Sequence, residues 1–406
     1  MYLKELSSFR PDRVYDKFRM IVEDCPSYYS PKTFTYFINN YRKLELGKNI
    51  QLPGGGLYKI LFVGDTSFAE SYGEKQIQLL TENGYDYPIA KLKPILNQSD
   101  LVFCNLETPI TNIKSSPYNN LKSYVHWTHI EKSPEALKRN NITVFSLANN
   151  HSLDYGTPGL KQTLEVMEKY DLKWFGAGMN EDEASKPFIK TFHIGGHKLK
   201  VVVICVFERS KKYESVYDYY AKGAKGGCYM LSQRTLRDQI YGLKKKDPDS
   251  FIIVFTHWGS NYKWKNFHQT SNAHRIINYG ANLVIGHGAH GIQEIEKHKG
   301  NWILYSIGNF VFLSEGRFEN LRYPPYSCAA QLIFADNNSK IEKWMRLYPI
   351  ISDNLKTNYQ PRPLTDDESA DFISILLNKS PLTSQEARSI MMGKDECGIY
   401  LQFQIG

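Results

Sequence analysis

The sequence predicts an α/β fold, and three observations carry the prediction. Between residues 58 and 306, seven short runs rich in β-branched and aromatic residues alternate with amphipathic, helix-like segments. The runs are apolar throughout rather than every second residue, which suits strands buried on both faces of a helix-covered sheet. Nearly every run then ends in a cluster of polar residues at its carboxyl end.

Taken in order, the first fifty residues carry Val14, Phe18 and Ile21, then Phe34, Phe37, Ile38 and Tyr41, at helical spacing, with Pro26 and Pro31 between the two groups. They predict an N-terminal helical addition over 1–53. Gly54, Gly55 and Gly56 after Pro53 form a joint. An α/β domain follows over 54–355, with strands predicted at Tyr58–Val63, Asp100–Cys104, Ile142–Leu147, Leu199–Phe207, Phe251–Phe255, Asn282–Ile285 and Trp302–Ser306. Ser133 before Pro134 and Thr157 before Pro158 read as helix N-caps followed by proline at the first helical position. Past residue 355, Pro361 and Pro363 mark a linker, and Thr365 with Glu368 and Thr383 with Glu386 form two capping boxes. A C-terminal helical tail is predicted over 356–406. No fixed repeat of 20–50 residues occurs, which argues against solenoids and propellers.

With 406 residues, 42% hydrophobic and 23% charged, the chain is long enough for a sizeable core and is not of disordered composition. Fifty basic and 42 acidic side chains give a net charge of +8 spread along the chain. That spread points weakly to an anionic ligand and away from dedicated nucleic-acid binding. The N-terminus lacks the apolar run of roughly 7–15 residues that a signal peptide carries. Val201–Phe207, the longest apolar stretch, is far short of the ~20 residues that span a bilayer, so no membrane span is expected. Six scattered cysteines form no C-x-x-C pair, and Cys104 and Cys205 fall within strand-like runs as buried thiols. The expected compartment is cytoplasmic.

The polar clusters hold the chemistry. They contain Asp65, then Asn105 and Glu107, then Asn149, Asn150, His151 and Asp154, then His257, His287 and His290, and finally Ser306 and Asn309. In α/β sheets ligands bind beyond the carboxyl ends of strands, so these residues are expected to converge from positions more than 200 residues apart. Carboxylates, an amide and imidazoles together suit one or two borderline divalent cations, Mn, Fe or Zn, better than magnesium or calcium. The absence of thiolates excludes a cysteine-rich structural zinc site. His287 and His290 sit among Gly286, Gly288 and Gly291, a spacing that calls for close backbone approach. His126, His129, His193, His197, His268, His274 and His298 read as surface or hydrogen-bonded core residues.

These motifs in order, above all SLANNHSLDYG followed by GLKQTLEVMEKYDLKWFGAGMNEDEA, then HWG, GHGAH and YSIGNF, resemble the CapA family of poly-γ-glutamate capsule synthesis proteins over residues 58–315. The resemblance implies a metallophosphoesterase-like architecture, two packed β-sheets with helices outside and metal held on loops at one edge. It implies that Asp65 is a metal ligand, Glu107 a bridging carboxylate, Asn150, His257 and His287 ligands of the second metal, and His290 a ligand of the first. It makes His151 the general acid or the donor to a transition-state oxyanion, with Asp154 orienting it and Asn149 beside it in the catalytic turn. The chain departs from the pattern at Ser67, where phosphoesterases carry a histidine, at Asn261 within HWGSNY, and at Gly288 and Ala289. The first metal therefore lacks one nitrogen ligand.

No phosphate-loop, nucleophile-elbow or H-E-x-x-H motif is present. The segment Glu208–Met230 carries Arg209, four lysines and five tyrosines, and is expected either to close over the site or to be a solvated loop. As a lid, its Lys211, Lys212, Lys222 and Lys225 would bind an anionic polymer or peptide substrate, together with Asn105 and Asn309. Three functional readings stay open. The first is a metal-dependent hydrolase of a phosphoester or of an amide in a glutamate-containing polymer. The second is a metal-dependent peptide epimerase, and the third a catalytically degenerate scaffold with a partner in a biosynthetic complex.

Overall fold

The computed structural model describes residues 52–405 except 69, 71, 72 and 339, so the expected N-terminal helical addition lies almost wholly outside the described residues. Each of the seven predicted runs contains a strand. Leu57–Thr66, Leu101–Leu106, Val144–Ser146 and Lys173–Phe175 lie parallel in one sheet. His197–Phe207, Phe251–His257, Leu283–His287 and Asn301–Leu304 lie parallel in a second. Antiparallel strands complete both: Tyr326–Asp336 and Ile341–Ile351 continue the first sheet from Leu57–Thr66, and Phe188–Ile194 and Ile295–His298 edge the second.

The His197–Phe207 strand shows why the runs are apolar throughout. Val201, Val203, Cys205 and Phe207 enter the main core, whereas Val202, Ile204 and Val206 pack under helices Gln233–Lys246 and Phe267–Asn278. Side chains of successive strand residues point to opposite faces, and here both faces are covered. Rings lock the two sheets together: Phe62 meets Phe255 at 5.5 Å between centroids, and Phe334 meets Phe192 and Phe251 at 5.4 and 5.6 Å. The observed fold is thus the expected α/β arrangement of two packed sheets flanked by helices.

Three local readings are corrected. The helices predicted to start at Pro134 and Pro158 begin at Lys132 and Gly156, so Ser133 and Thr157 lie inside the first turn. The Ser133 hydroxyl donates to the His129 carbonyl instead of capping. Beyond residue 355 both capping boxes form and open helices Asp366–Lys379 and Ser384–Ser389. The chain after them is not helical: Met391–Asp395 and Gly398–Gln404 are strands of the first sheet, with Leu401 opposite Leu347 and Phe403 opposite Met345. Gly398–Gln404 pairs with Ile341–Ile351, some fifty residues earlier in the chain, and Met391–Asp395 pairs in turn with Gly398–Gln404.

All five described cysteines are buried and free. No helix among the described residues is long and apolar enough to cross a membrane.

Candidate metal centre and cavity

The parallel strands of the two sheets end at the same edge. Between Val63 and Asp65 the pairing with Leu101–Leu106 shifts register, and the backbone of Gly64 touches that of Gly308 so closely that a Cβ would lie 1.7 Å from the Gly308 carbonyl oxygen. This approach brings Asp65 beside Asn309 and into the gap between the sheets. The Gly288 amide donates to both Asp65 oxygens, at 3.1 and 3.0 Å. Gly288 has φ +99°, and a Cβ there would lie 2.9 Å from the His257 ring, so glycine is required on both counts. His290 also has positive φ, +62°, a conformation that costs a non-glycine residue energy and is retained where geometry is at a premium.

Around Asp65 the side chains converge as the strand-end pattern predicts. His287 Nδ1 lies 3.4 Å from Asp65 Oδ1, His290 Nδ1 3.2 Å from Asp65 Oδ2, and His257 Nδ1 3.1 Å from His287 Nδ1. His257, His290 and His151 each bring Nε2 within 3.9–4.0 Å of Glu107 Oε1. Two triads of ligand atoms result, Asp65 with His257 and His287, and Asp65 with Glu107 and His290. Asp65 is therefore the residue the triads share, where the resemblance implies that Glu107 bridges. Ser67, in the position of the missing histidine, is fully buried, and its amide donates to the Val311 carbonyl.

Both oxygens of the fully buried Glu107, together with Asn150 Oδ1 and His287 Nε2, have no hydrogen-bond partner. Leaving a buried charged acceptor unpaired costs several kcal/mol, on the order of 1–3 or more, and a cation among these atoms removes that cost. The donor set of carboxylate, imidazole and amide oxygen fits a borderline divalent ion. Burial would raise the Asp65 carboxyl, but hydrogen bonds from His287 and His290 hold it well below the usual range. Burial, and next the Asp65 charge, push Glu107 well above its range. Burial keeps His257 and His287 neutral, the form that ligates metals.

His151 stands on a turn framed by Asn149, whose Oδ1 accepts from the amides of His151 and Ser152 and whose amide donates to Asn105 Oδ1 and the Leu106 carbonyl. Every polar atom of Asn149 is thus spent inside the fold, so its expected catalytic role is replaced by a framing one. His151 Nδ1 lies 2.6 Å from Asp154 Oδ2. Asp154, fully buried, also accepts from the His126 amide at 2.6 Å, from the Tyr219 hydroxyl at 2.7 Å, and from Lys122 Nζ. Burial, and next Lys122, hold His151 well below the ordinary histidine range. Its ring stacks on His126 with centroids 3.6 Å apart.

A cavity of about 450 Å³ opens over His151, Asn150 and His290. Its wall includes Lys212, Tyr213 and Tyr217 from the tyrosine-rich segment, and Tyr124, Arg317, Phe312, Tyr262 and Asn261 from elsewhere. Of the four lysines expected to bind substrate, only Lys212 lines the cavity. Lys225 pairs with Asp218 at 2.7 Å, and Lys211 and Lys222 lie off the wall. Asn105 and Asn309 are redirected as well: Asn105 donates to Asp65 Oδ1 at 2.9 Å, and Asn309 Oδ1 lies 2.9 Å from His290 Nδ1. Both contact candidate ligands, Asp65 and His290, and neither is part of the cavity wall. Lys122 and Arg317 escaped the sequence reading, because Lys122 sits on an irregular loop and Arg317 on the short helix Arg317–Asn320, where no strand end marks them; His126, read as a surface or hydrogen-bonded core residue, is buried with Nδ1 3.0 Å from the Glu107 carbonyl oxygen. A further group, His274, Glu296 and His298, lies apart from this edge, with its two imidazoles parallel at 3.9 Å, so their in-plane lone pairs do not converge.

The family model of the bacterial capsule synthesis protein PGA_cap matches residues 59–314. The chain belongs to this family. Within it the chain is 29% identical over 243 residues to the capsule biosynthesis protein CapA of Bacillus anthracis, covering 58% of this chain and 56% of that protein. It is 32% identical over 252 residues to the PGA biosynthesis protein CapA of Bacillus subtilis, covering 62% of each. The chain thus spans about three fifths of the length of these relatives. Among solved structures, a phosphatase from Mycoplasma pneumoniae superposes with a TM-score of 0.42 at 16% identity, covering 75% of this chain and 99% of that one.

Proposed function

We propose that this PGA_cap protein is a metal-dependent hydrolase that cleaves a phosphoester or the amide of a glutamate-containing polymer in capsule or polyglutamate synthesis. One observation carries the reading: Glu107, fully buried, presents two unpartnered oxygens to three imidazoles and a second buried carboxylate. The names of the Bacillus relatives, which concern capsule and PGA biosynthesis, support the polymer.

Asp65, Glu107, Asn150, His257, His287 and His290 would hold the ions. A bound divalent cation supplies Lewis acidity, withdrawing charge from the electrophile and making water a better nucleophile near neutral pH. The protein's own groups handle the proton. With Nδ1–H donated to Asp154, the neutral His151 keeps Nε2 as a bare acceptor 3.9 Å from Glu107 Oε1, in a ring that lines the cavity. It takes a proton from the attacking water, is stabilised as imidazolium by Asp154, and returns the proton to the leaving oxygen or nitrogen as the P–O or C–N bond breaks. Lys212 and Arg317 at the cavity wall favour an anionic substrate.

The test is elemental analysis of the purified protein, with turnover of a generic phosphodiester and a γ-glutamyl amide under Mn, Fe, Zn and Mg. Bound metal with cleavage of either substrate is expected. Absence of both metal and turnover overturns the proposal and leaves the scaffold reading.

A further inference from the structure

The loop between Glu107 and the helix Lys132–Arg139 places one cation, Lys122, behind the His151–Asp154 pair. Its side chain is 7% exposed. Its ammonium donates to the Asn150 carbonyl, to Asp154 Oδ1 and, at 3.3 Å, to the Tyr219 hydroxyl. Tyr219 in turn donates its own hydrogen to Asp154 Oδ1. The rings of Tyr219 and Tyr213 lie 5.2 and 5.8 Å from Nζ. A lysine has three N–H donors, and all three are spent inside the protein. Lys122 therefore has nothing left with which to grip a substrate, although it borders the cavity.

We propose that Lys122 is a positioning residue that joins three separate pieces of chain, the 107–131 loop, the Asn149–Asp154 turn and the tyrosine-rich segment 208–230, so that the orientation of His151 and the wall of the cavity are set together. The inference rests on His151 acting in the reaction proposed above. The geometry explains the arrangement. Asp154 needs a countercharge because it is fully buried, and Lys122 supplies it at Oδ1 while His151 Nδ1 contacts Oδ2, the ammonium itself lying 3.2 Å from His151 Nδ1. The same ammonium holds the Asn150 carbonyl, fixing the backbone between the proposed ligand Asn150 and the proposed base His151. Its third donor and two aromatic contacts tie in Tyr219 and Tyr213, and Tyr213 is itself part of the cavity wall. A point charge on a flexible stem reaches three acceptors in different directions, which the planar fork of arginine does not.

The experiment compares the parent with Lys122→Met, Lys122→Arg and Tyr219→Phe in metal content, in kcat and KM on whichever substrate the parent cleaves, and in trypsin sensitivity after Lys211, Lys212, Lys222 and Lys225. Lys122→Met is expected to retain its metal, to lose about 10²-fold in kcat with KM within about twofold, since small misplacements cost that much, and to be cut about tenfold faster within 208–230. Lys122→Arg should recover part of kcat, and Tyr219→Phe should show a smaller loss in the same direction. Parental kcat and parental trypsin resistance in Lys122→Met overturn the inference, and so does a loss confined to KM. If Lys122→Met does not fold, the arginine and phenylalanine variants decide by the same two readouts. If the parent cleaves nothing, the hydrolase reading fails, and trypsin sensitivity alone judges the tie between Lys122 and the segment.

Discussion

Glu107 offers a prediction whose sign reverses with metal. In the metal-free protein its carboxyl is pushed up by burial and then by the charge of Asp65. A group whose folded pKa lies above its unfolded value stabilises the fold below the unfolded pKa, here 4.5, and that contribution is lost as pH rises. The loss accumulates at up to 1.36 kcal/mol per pH unit, so by pH 7 it reaches at most about 3 kcal/mol. Glu107→Gln keeps the shape and removes the titration. Without metal, the variant should match the parent near pH 4.5 and exceed it by up to about 3 kcal/mol at pH 7. At roughly 2.1 cal/mol/K of unfolding entropy per residue, this is about 4 °C in Tm for a unit of some 350 residues. With metal the order inverts, because the variant has lost an anionic ligand and its affinity should fall by more than the about 10–100-fold that mere supporting contacts cost. Thermal melts of chelator-treated and Mn- or Zn-loaded protein between pH 4.5 and 8 read both effects. Glu107→Gln melting below the parent without metal at pH 7, or gaining as much from metal as the parent does, refutes the reasoning and makes Glu107 a structural residue.

Three further outcomes are expected. His257→Ala and His287→Ala should each lower bound metal by elemental analysis far more than His193→Ala, whose imidazole is exposed on the edge strand Phe188–Ile194; equal metal in all three removes the ligand assignment. His151→Ala should keep its metal while turnover slows by roughly 10²–10⁴-fold, the range for a positioned acid or base, and undiminished turnover would make His151 structural. Burial holds His151 and His257 well below the ordinary histidine pKa. Their contribution is present above about pH 6.5 and lost below it. Chelator-treated protein should therefore melt earlier as pH falls from about 6.5, and metal-loaded protein should decline more steeply, because protons compete with the ion for the His257 imidazole; identical declines with and without metal count against His257 as a ligand.

The sequence by itself determined seven of the eight described parallel strands, Lys173–Phe175 being the exception, and the residues at their ends. A strand buried on both faces needs an unbroken apolar run, and a polar residue is tolerated where that burial stops, so Asp65, Glu107, His257 and His287 stand out locally. The glycines around His287 were legible for the same kind of reason, since Gly288 alone satisfies both its positive φ and the nearness of the His257 ring. The strands at 391–404 were not legible, because what makes them strands is the pairing of Gly398–Gln404 with Ile341–Ile351, which Met391–Asp395 then extends, and not any local preference. Nor were the true duties of Asn105, Asn149 and Asn309: an amide at a strand end reads as a substrate contact until the fold shows Asn105 turned to Asp65, Asn149 to the His151 turn and Asn309 Oδ1 to His290. Lys122 is the clearest case. Its three acceptors come from residues 28 to 97 positions away, and only the packed protein, which takes the ammonium out of water, turns a loop lysine into the countercharge of Asp154.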